Sequence, residues 1–169
     1  YRYGFNEKNA SFIANGFDLD VFQPLSFSAV NMIKKQLNLP SNSRVIGHVA
    51  RFHPVKNHQG FIRKITPFLE ENENLYCALI GLDVTAKNNI LTEAIEQSGY
   101  ANRFLLLGER TDINKLYSVF DFTVNTSFSE AFPNVVGESM ACGTPCIVSD
   151  VGDSKKIISN FGFSYKSQN

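Results

Sequence analysis

The chain has 169 residues, 43% hydrophobic and 19% charged, and its sixteen Lys and Arg balance sixteen Asp and Glu. That is the length of about one domain, large enough to bury a real core. The composition excludes intrinsic disorder, and the absent net charge excludes a general field that would draw nucleic acid or an anionic membrane, though a local basic site stays open.

No apolar run exceeds a few residues, Cys77-Ala78-Leu79-Ile80 being typical, so no segment is long enough to span a bilayer. The N-terminus, Tyr1 to Glu7, has no basic region followed by an apolar core and no initiator Met, so it does not read as a signal peptide and the chain is expected to be part of a longer one. Cys77, Cys142 and Cys146 are not followed by a second Cys or His pair at zinc-site spacing. They read as buried reduced thiols in a reducing compartment.

Residues 1–43 read as a lead-in segment and residues 44–169 as the domain proper. The lead-in holds the turn Asn15-Gly16, the stretch Phe17 to Pro24 and a helical pattern from Ala29 to Leu37. A regular alternation then begins. Strands are predicted at Val45–Ala50, Leu75–Ile80, Phe104–Leu107, Phe122–Val124, Cys146–Val148 and Phe163–Tyr165. Helices are predicted at His58–Glu71, Ala86–Gln97, Ile113–Phe120 (opened by Asp112 as a cap), Val135–Ala141 (stopped by Gly143) and Ser154–Ser159. Strands that are apolar throughout and alternate with helices predict an α/β fold, a doubly wound, Rossmann-like parallel sheet covered on both faces. Such sheets bind ligands at the carboxyl ends of their strands.

The chemistry should therefore lie in the loops. After the first strand, Arg51 and Lys56 sit five residues apart ahead of a helix. Guanidinium, ammonium and a helix start suit a diphosphate, although two solvated surface cations would look the same. The loop has neither a dinucleotide fingerprint nor a Walker-type phosphate motif. Gly81-Leu82-Asp83 reads as a structural turn. Gly108 to Asp112, with Arg110, either borders a base or caps the next helix. After the fourth strand comes Ser127-Phe128-Ser129-Glu130-Ala131-Phe132-Pro133-Asn134-Val135, leading into a helix that carries Glu138. Pro133 suits a first helical turn, the N–H groups of Asn134 and Val135 would face the loop, and Glu138 lies one turn beyond Asn134. Two carboxylates beside a helix N-terminus suit a sugar nucleotide, or are one residue at a favourable dipole end and one solvated residue.

This segment, with Glu130 and Glu138 eight apart in E-x-F-P-N-x-x-x-E-x-M-A-C-G-x-P, resembles the E-x7-E signature of family 4 (group 1) glycosyltransferases. These are retaining enzymes of the two-domain GT-B arrangement, and the resemblance points to the C-terminal, donor-binding domain. It extends to the lead-in Asn15-Gly16-Phe17-Asp18 with Phe22 and Pro24, to Val49-Ala50-Arg51-Phe52 with Val55-Lys56-Asn57, to Leu106 through Ile113, and to Ser149-Asp150-Val151-Gly152. It implies that Arg51 and Lys56 hold the donor diphosphate and that Glu130 lies beside the donor sugar. By the same resemblance, the backbone of Ala131, Phe132, Pro133, Asn134 and Val135 holds sugar hydroxyls and the distal phosphate, Glu138 binds the ribose, and Arg110 lies near the base through its backbone. Three positions depart from the family pattern, since Ala50, Ala131 and Asp153 stand where glycine is common.

The implied reaction moves a sugar from a UDP- or GDP-linked donor to a glycan or lipid-linked acceptor with retention, in surface polysaccharide or glycoconjugate synthesis. No cofactor or metal is expected and no nucleic acid. The acceptor domain is expected to precede Tyr1 and further helices to follow Tyr165, so that the chain alone binds nucleotide and is largely inactive. The full-length protein is expected in the cytoplasm, or peripheral at the inner face of the membrane. A nucleotide-sugar epimerase and a non-enzymatic nucleotide-binding module are the alternatives; a glycoside hydrolase would not need the phosphate features. The expected electrostatics is a cationic pole at Arg51 and Lys56 set apart from a carboxylate pole at Glu130 and Glu138.

Overall fold

The second strand shows why the sheet forms. In β2 (Leu75–Ile80) the side chains alternate between two layers. Cys77 and Leu79 enter a cluster with Phe61, Ile62, Ile65, Leu69, Leu91 and Ile95, while Ala78 and Ile80 enter another with Val45, Leu116, Tyr117 and Phe120. A strand buried on both faces has no polar side to show to water, which is the condition of a parallel sheet covered by helices.

The computed structural model describes residue 11 and residues 13–166. The segment Tyr1 to Glu7, assessed above for a leader, lies outside the described residues. The strands are β1 (Arg44–Val49), β2, β3 (Phe104–Leu106), β4 (Phe122–Asn125), β5 (Cys146–Ser149) and β6 (Phe163–Tyr165). They form one sheet in the order β3-β2-β1-β4-β5-β6, and every pairing is parallel. Helices α1 (Phe27–Gln36), α2 (His58–Glu71), α3 (Asn89–Gln97), α4 (Ile113–Tyr117), α5 (Asn134–Ala141) and α6 (Ser154–Ile158) surround it. α2 and α3 supply one core layer. α4 supplies the other, with Leu39 and, partly buried, Phe22, Val30, Ile33 and Leu37 from the lead-in. Val136 of α5 and Ile158 of α6 close over β5 through Cys146 and Val148. The three cysteines are free and buried, as expected.

The predicted α3 starts three residues late, because Asn88 caps it by accepting the Leu91 N–H. The predicted cap of α4 needs correction. Asp112 occupies the N-cap position but makes no side-chain cap bond. Both its oxygens are taken by Arg110, at 2.8 Å each, and a bidentate charged pair outcompetes a single backbone N–H.

Candidate functional site

The sheet order reverses between β1 and β4. The loops leaving those two strands lie side by side at the carboxyl ends, and the crevice at such a reversal is where open parallel sheets take ligands. Both loops carry residues singled out in the sequence.

In the β1 loop, His53 Nδ1 accepts the Val55 N–H at 3.2 Å and opens a short 3-10 turn over Pro54–Lys56. Asn57 follows with φ 57°, and its Oδ1 accepts the Gly60 N–H at 3.1 Å, capping α2. Asparagine tolerates the left-handed region and has the short acceptor that a helix start requires. This loop is pinned to the β4 loop, since Phe128 N–H donates to the Val55 carbonyl at 2.8 Å. Below it Gly81 approaches so closely that a Cβ would collide with the Ala50 carbonyl, and its φ of 148° disfavours any side chain. The turn read as structural is thus required to seat the site loop.

The pinning brings Lys56 Nζ to 2.5 Å from Glu130 Oε1. The Ser127 hydroxyl donates to the same oxygen at 2.7 Å. Burial alone would raise the Glu130 pKa. The hydrogen bonds from Lys56 and Ser127, the Lys56 charge and the Asn125 amide outweigh it and lower the pKa. Glu130 is therefore a carboxylate at neutral pH and an acceptor only. The separated poles drawn from the sequence are corrected here, because the principal cation and the first carboxylate are in direct contact. Lys56 keeps donors for a ligand, since an ammonium has three. Arg51 is exposed and unpaired among the described residues.

Helix α5 begins one residue later than Pro133 would suggest. Pro133 takes the N-cap position and supplies no side-chain cap, so Asn134 and Val135 open the helix and their N–H groups have no helical partner. The lead-in closes over this end. Asn15 Nδ2 donates to Asn134 Oδ1 at 2.9 Å, Phe17 stacks on Phe132 at 6.3 Å between centroids, and Gly137 admits the Phe17 ring where a Cβ would collide with it. Glu138, one turn on, accepts the Tyr117 hydroxyl at 2.8 Å on Oε2. Asn15, Phe17, Asn134 and Glu138 border a groove of about 310 Å³. A larger cavity of about 830 Å³ lies among the amino ends of β1, β2 and β4 and contains none of Arg51, Lys56, Glu130 or Glu138. The smaller groove lies at the start of α5 and carries Glu138 and Asp18, while Arg51, Lys56 and Glu130 lie outside its lining as well.

The departures from the resembled pattern are accommodated. Ala50 and Ala131 are not among the residues of positive φ, so neither methyl strains the backbone. The turn after β5 keeps its glycine at 152, where φ is 55° and a Cβ would collide with the Glu130 carbonyl. Asp153, at φ −91°, donates its N–H to the Ala131 carbonyl at 3.0 Å. The Arg110 side chain is engaged by Asp112. Tyr117, Asn125 and Thr126 escaped sequence reading. Each is buried at a strand or helix end, and one hydroxyl or amide there has no distinguishing spacing. Among the described residues there is no cluster of metal-ligating side chains and no helix long and apolar enough to cross a membrane.

A family model described as "Glycosyl transferases group 1" matches residues 30–169. EpsF of Bacillus subtilis (strain 168) is 36% identical over 138 residues, 82% of this chain and 35% of EpsF. The UDP-Gal:alpha-D-GlcNAc-diphosphoundecaprenol alpha-1,3-galactosyltransferase of Escherichia coli is 30% identical over 152 residues, 89% of this chain and 39% of that enzyme. Among solved structures, Anabaena Alr3699/HepE in complex with UDP-glucose superimposes with a TM-score of 0.86 at 26% identity, over 99% of this chain and 46% of HepE. The chain thus spans between a third and a half of the length of these relatives.

Proposed function

This chain belongs to the glycosyl transferases group 1 family, and from that premise we propose that it is the donor-binding part of a retaining glycosyltransferase that takes a nucleotide-diphosphate sugar. The observation that carries the reading is the contact of Lys56 with Glu130 across the β1–β4 crevice, beside the open start of α5. A cation with spare donors, a free guanidinium and helix N–H groups suit a diphosphate. Two ionised or hydrogen-bonded carboxylates suit sugar hydroxyls.

In this reading Arg51 and Lys56 bind the diphosphate and stabilise the negative charge that grows on it as the glycosidic bond breaks. The N–H groups from Phe132 to Val135 assist at the distal phosphate and the sugar. Glu130 accepts donor-sugar hydroxyls. With its lowered pKa it is no general acid at neutral pH, which separates it from the acid of a hydrolase pair. Glu138 receives the ribose hydroxyls, and the backbone around Arg110 borders the base. Two cations and a helix end do the electrostatic work, so no metal takes part. A UDP-linked donor is favoured over a GDP-linked one by the UDP-glucose bound to HepE and by the UDP-Gal in the E. coli enzyme's name. That name also supports a lipid-linked glycan acceptor, held by a part of the protein outside this chain. The cytoplasm, or the inner face of the membrane, is the compartment proposed.

Calorimetric titration with UDP, GDP and a flavin tests the reading. UDP should bind, and Arg51→Ala and Glu138→Ala should weaken it. Binding of the flavin alone, or UDP binding indifferent to both substitutions, would sink the proposal.

A further inference from the structure

Two buried histidines lie beneath the phosphate-facing loop and have no role in the reading above. His48 on β1 and His58 at the start of α2 are 1% and 2% exposed. Their rings meet edge to face at 4.5 Å, with Phe61 against His48 and Phe52 against His58. His48 Nε2 lies 3.0 Å from Thr126 Oγ1. That hydroxyl, buried at the end of β4, reaches the carbonyl oxygens of Lys56 at 3.0 Å and Asn57 at 3.3 Å. A hydroxyl has one proton, and a carbonyl can only accept. The Thr126 proton is therefore committed to the loop, and its lone pair must receive Nε2–H from His48. This assigns His48 as a neutral ring with its proton on Nε2 and a bare Nδ1, an atom that is buried without a partner. Burial, and then the neighbouring His58, keep the ring in that neutral form.

We infer that Thr126, keyed by His48, is a positioning residue for the donor diphosphate, because the chain His48 Nε2–H, Thr126 hydroxyl, Lys56 carbonyl fixes the backbone from which Lys56 enters the crevice. Asn57 completes the clamp by donating its amide to the Thr126 carbonyl at 3.3 Å. A threonine suits this position. Valine has the same shape but would leave an imidazole N–H and the carbonyl of Lys56 buried without this partner. The inference rests on the reading that Lys56 binds a nucleoside diphosphate.

The test is a double-mutant cycle read by calorimetry with UDP. Thr126→Val should weaken UDP on the order of tenfold. In the Lys56→Ala background it should cost nothing further, because its effect travels through Lys56. Thr126→Ser, which keeps the hydroxyl, should restore binding, and His48→Gln, whose amide can donate from the place of Nε2, should lie close to the unaltered chain. An equal loss from Thr126→Val in both backgrounds, or no loss, overturns the inference. If the unaltered chain binds neither UDP nor GDP, the functional reading fails separately, and imidazole nitrogen shifts decide the network alone. They should show His48 neutral with its proton on Nε2; a proton on Nδ1, or no change at His48 in Thr126→Val, overturns it.

Discussion

Glu130 and Glu138 belong to one short motif, yet their surroundings differ in kind. Glu130 is held by an ammonium and a serine hydroxyl on a single oxygen. Glu138 is held by one neutral phenol, on Oε2. The first carboxylate is thus part of the charge balance of the crevice, and its partner is the group proposed to bind the diphosphate. The second is only oriented. A cation compensated by a carboxylate can sit half-buried without further partners, whereas a lone carboxylate such as Glu138 needs no more than a neutral donor to orient it.

The largest expected effect attacks the charged side. Lys56→Ala in the full-length protein should lower the transfer rate by roughly 10²–10³-fold, or about 3–4 kcal/mol of transition-state stabilisation, the loss seen when one donor to developing charge is removed. Steady-state kinetics reads it, and a rate unchanged by the substitution would erase the proposed difference between the two carboxylate sites.

Next comes acid. His58 is buried and its pKa is lowered from 6.5 to about 4, chiefly by burial. Below pH 6.5 the unfolded chain takes up a proton there while the folded chain does not until near pH 4. The unfolded state then binds more protons, so stability falls as pH falls through that window, on the order of 3 kcal/mol from this residue. Glu130, with a lowered pKa, acts in the opposite sense of group but the same direction of stability, and only below about 4.5. Urea unfolding at a series of pH values should show the loss beginning near 6.5 in the unaltered chain, and His58→Phe should make it shallower while leaving the part due to His48. A flat profile in the unaltered chain would refute the neutral histidine pair beneath the Lys56 loop.

On the neutral side, Tyr117→Phe removes one hydroxyl. It should cost about 1 kcal/mol in UDP affinity and should reduce the discrimination between UDP and 2′-deoxy-UDP, which calorimetry with both ligands measures. Unchanged discrimination would mean that Glu138 is not oriented by Tyr117. The smallest effect is expected from Asp112→Ala. Its pair with Arg110 has ideal bidentate geometry but lies about a third exposed on both sides, where such a pair is worth under about 1 kcal/mol. Neither the melting temperature nor UDP affinity should move much, and a large loss of UDP affinity would place the Arg110 side chain, not its backbone, at the base.

Much of the fold was legible because it depends on local periodicity. The apolar runs at Leu75–Ile80 and the helical spacing of Phe61, Ile62, Ile65 and Leu69 each carry their own signal, and α2, β2 and β6 have the predicted bounds. The site was legible to the extent that it is a motif on loops after strands: Arg51, Lys56, Glu130 and Glu138 border the carboxyl ends of β1 and β4. The capping role of Asp112 was misread because Arg110, two residues away, competes for the same carboxylate. The charge separation was misread because nothing in a linear chain measures the distance between residues 56 and 130.

By itself the sequence determined the parallel α/β sheet, the carboxyl-end loops and the donor and acceptor groups placed on them. These follow from burial pattern and from residue chemistry, and both are properties of short segments. The tertiary structure alone decided that Lys56 closes on Glu130, that Tyr117 stands behind Glu138, and that His48 and Thr126 lie under the loop that carries Lys56. Those contacts join elements far apart in the chain, and they exist only once the strand order has reversed between β1 and β4 and brought the two loops together.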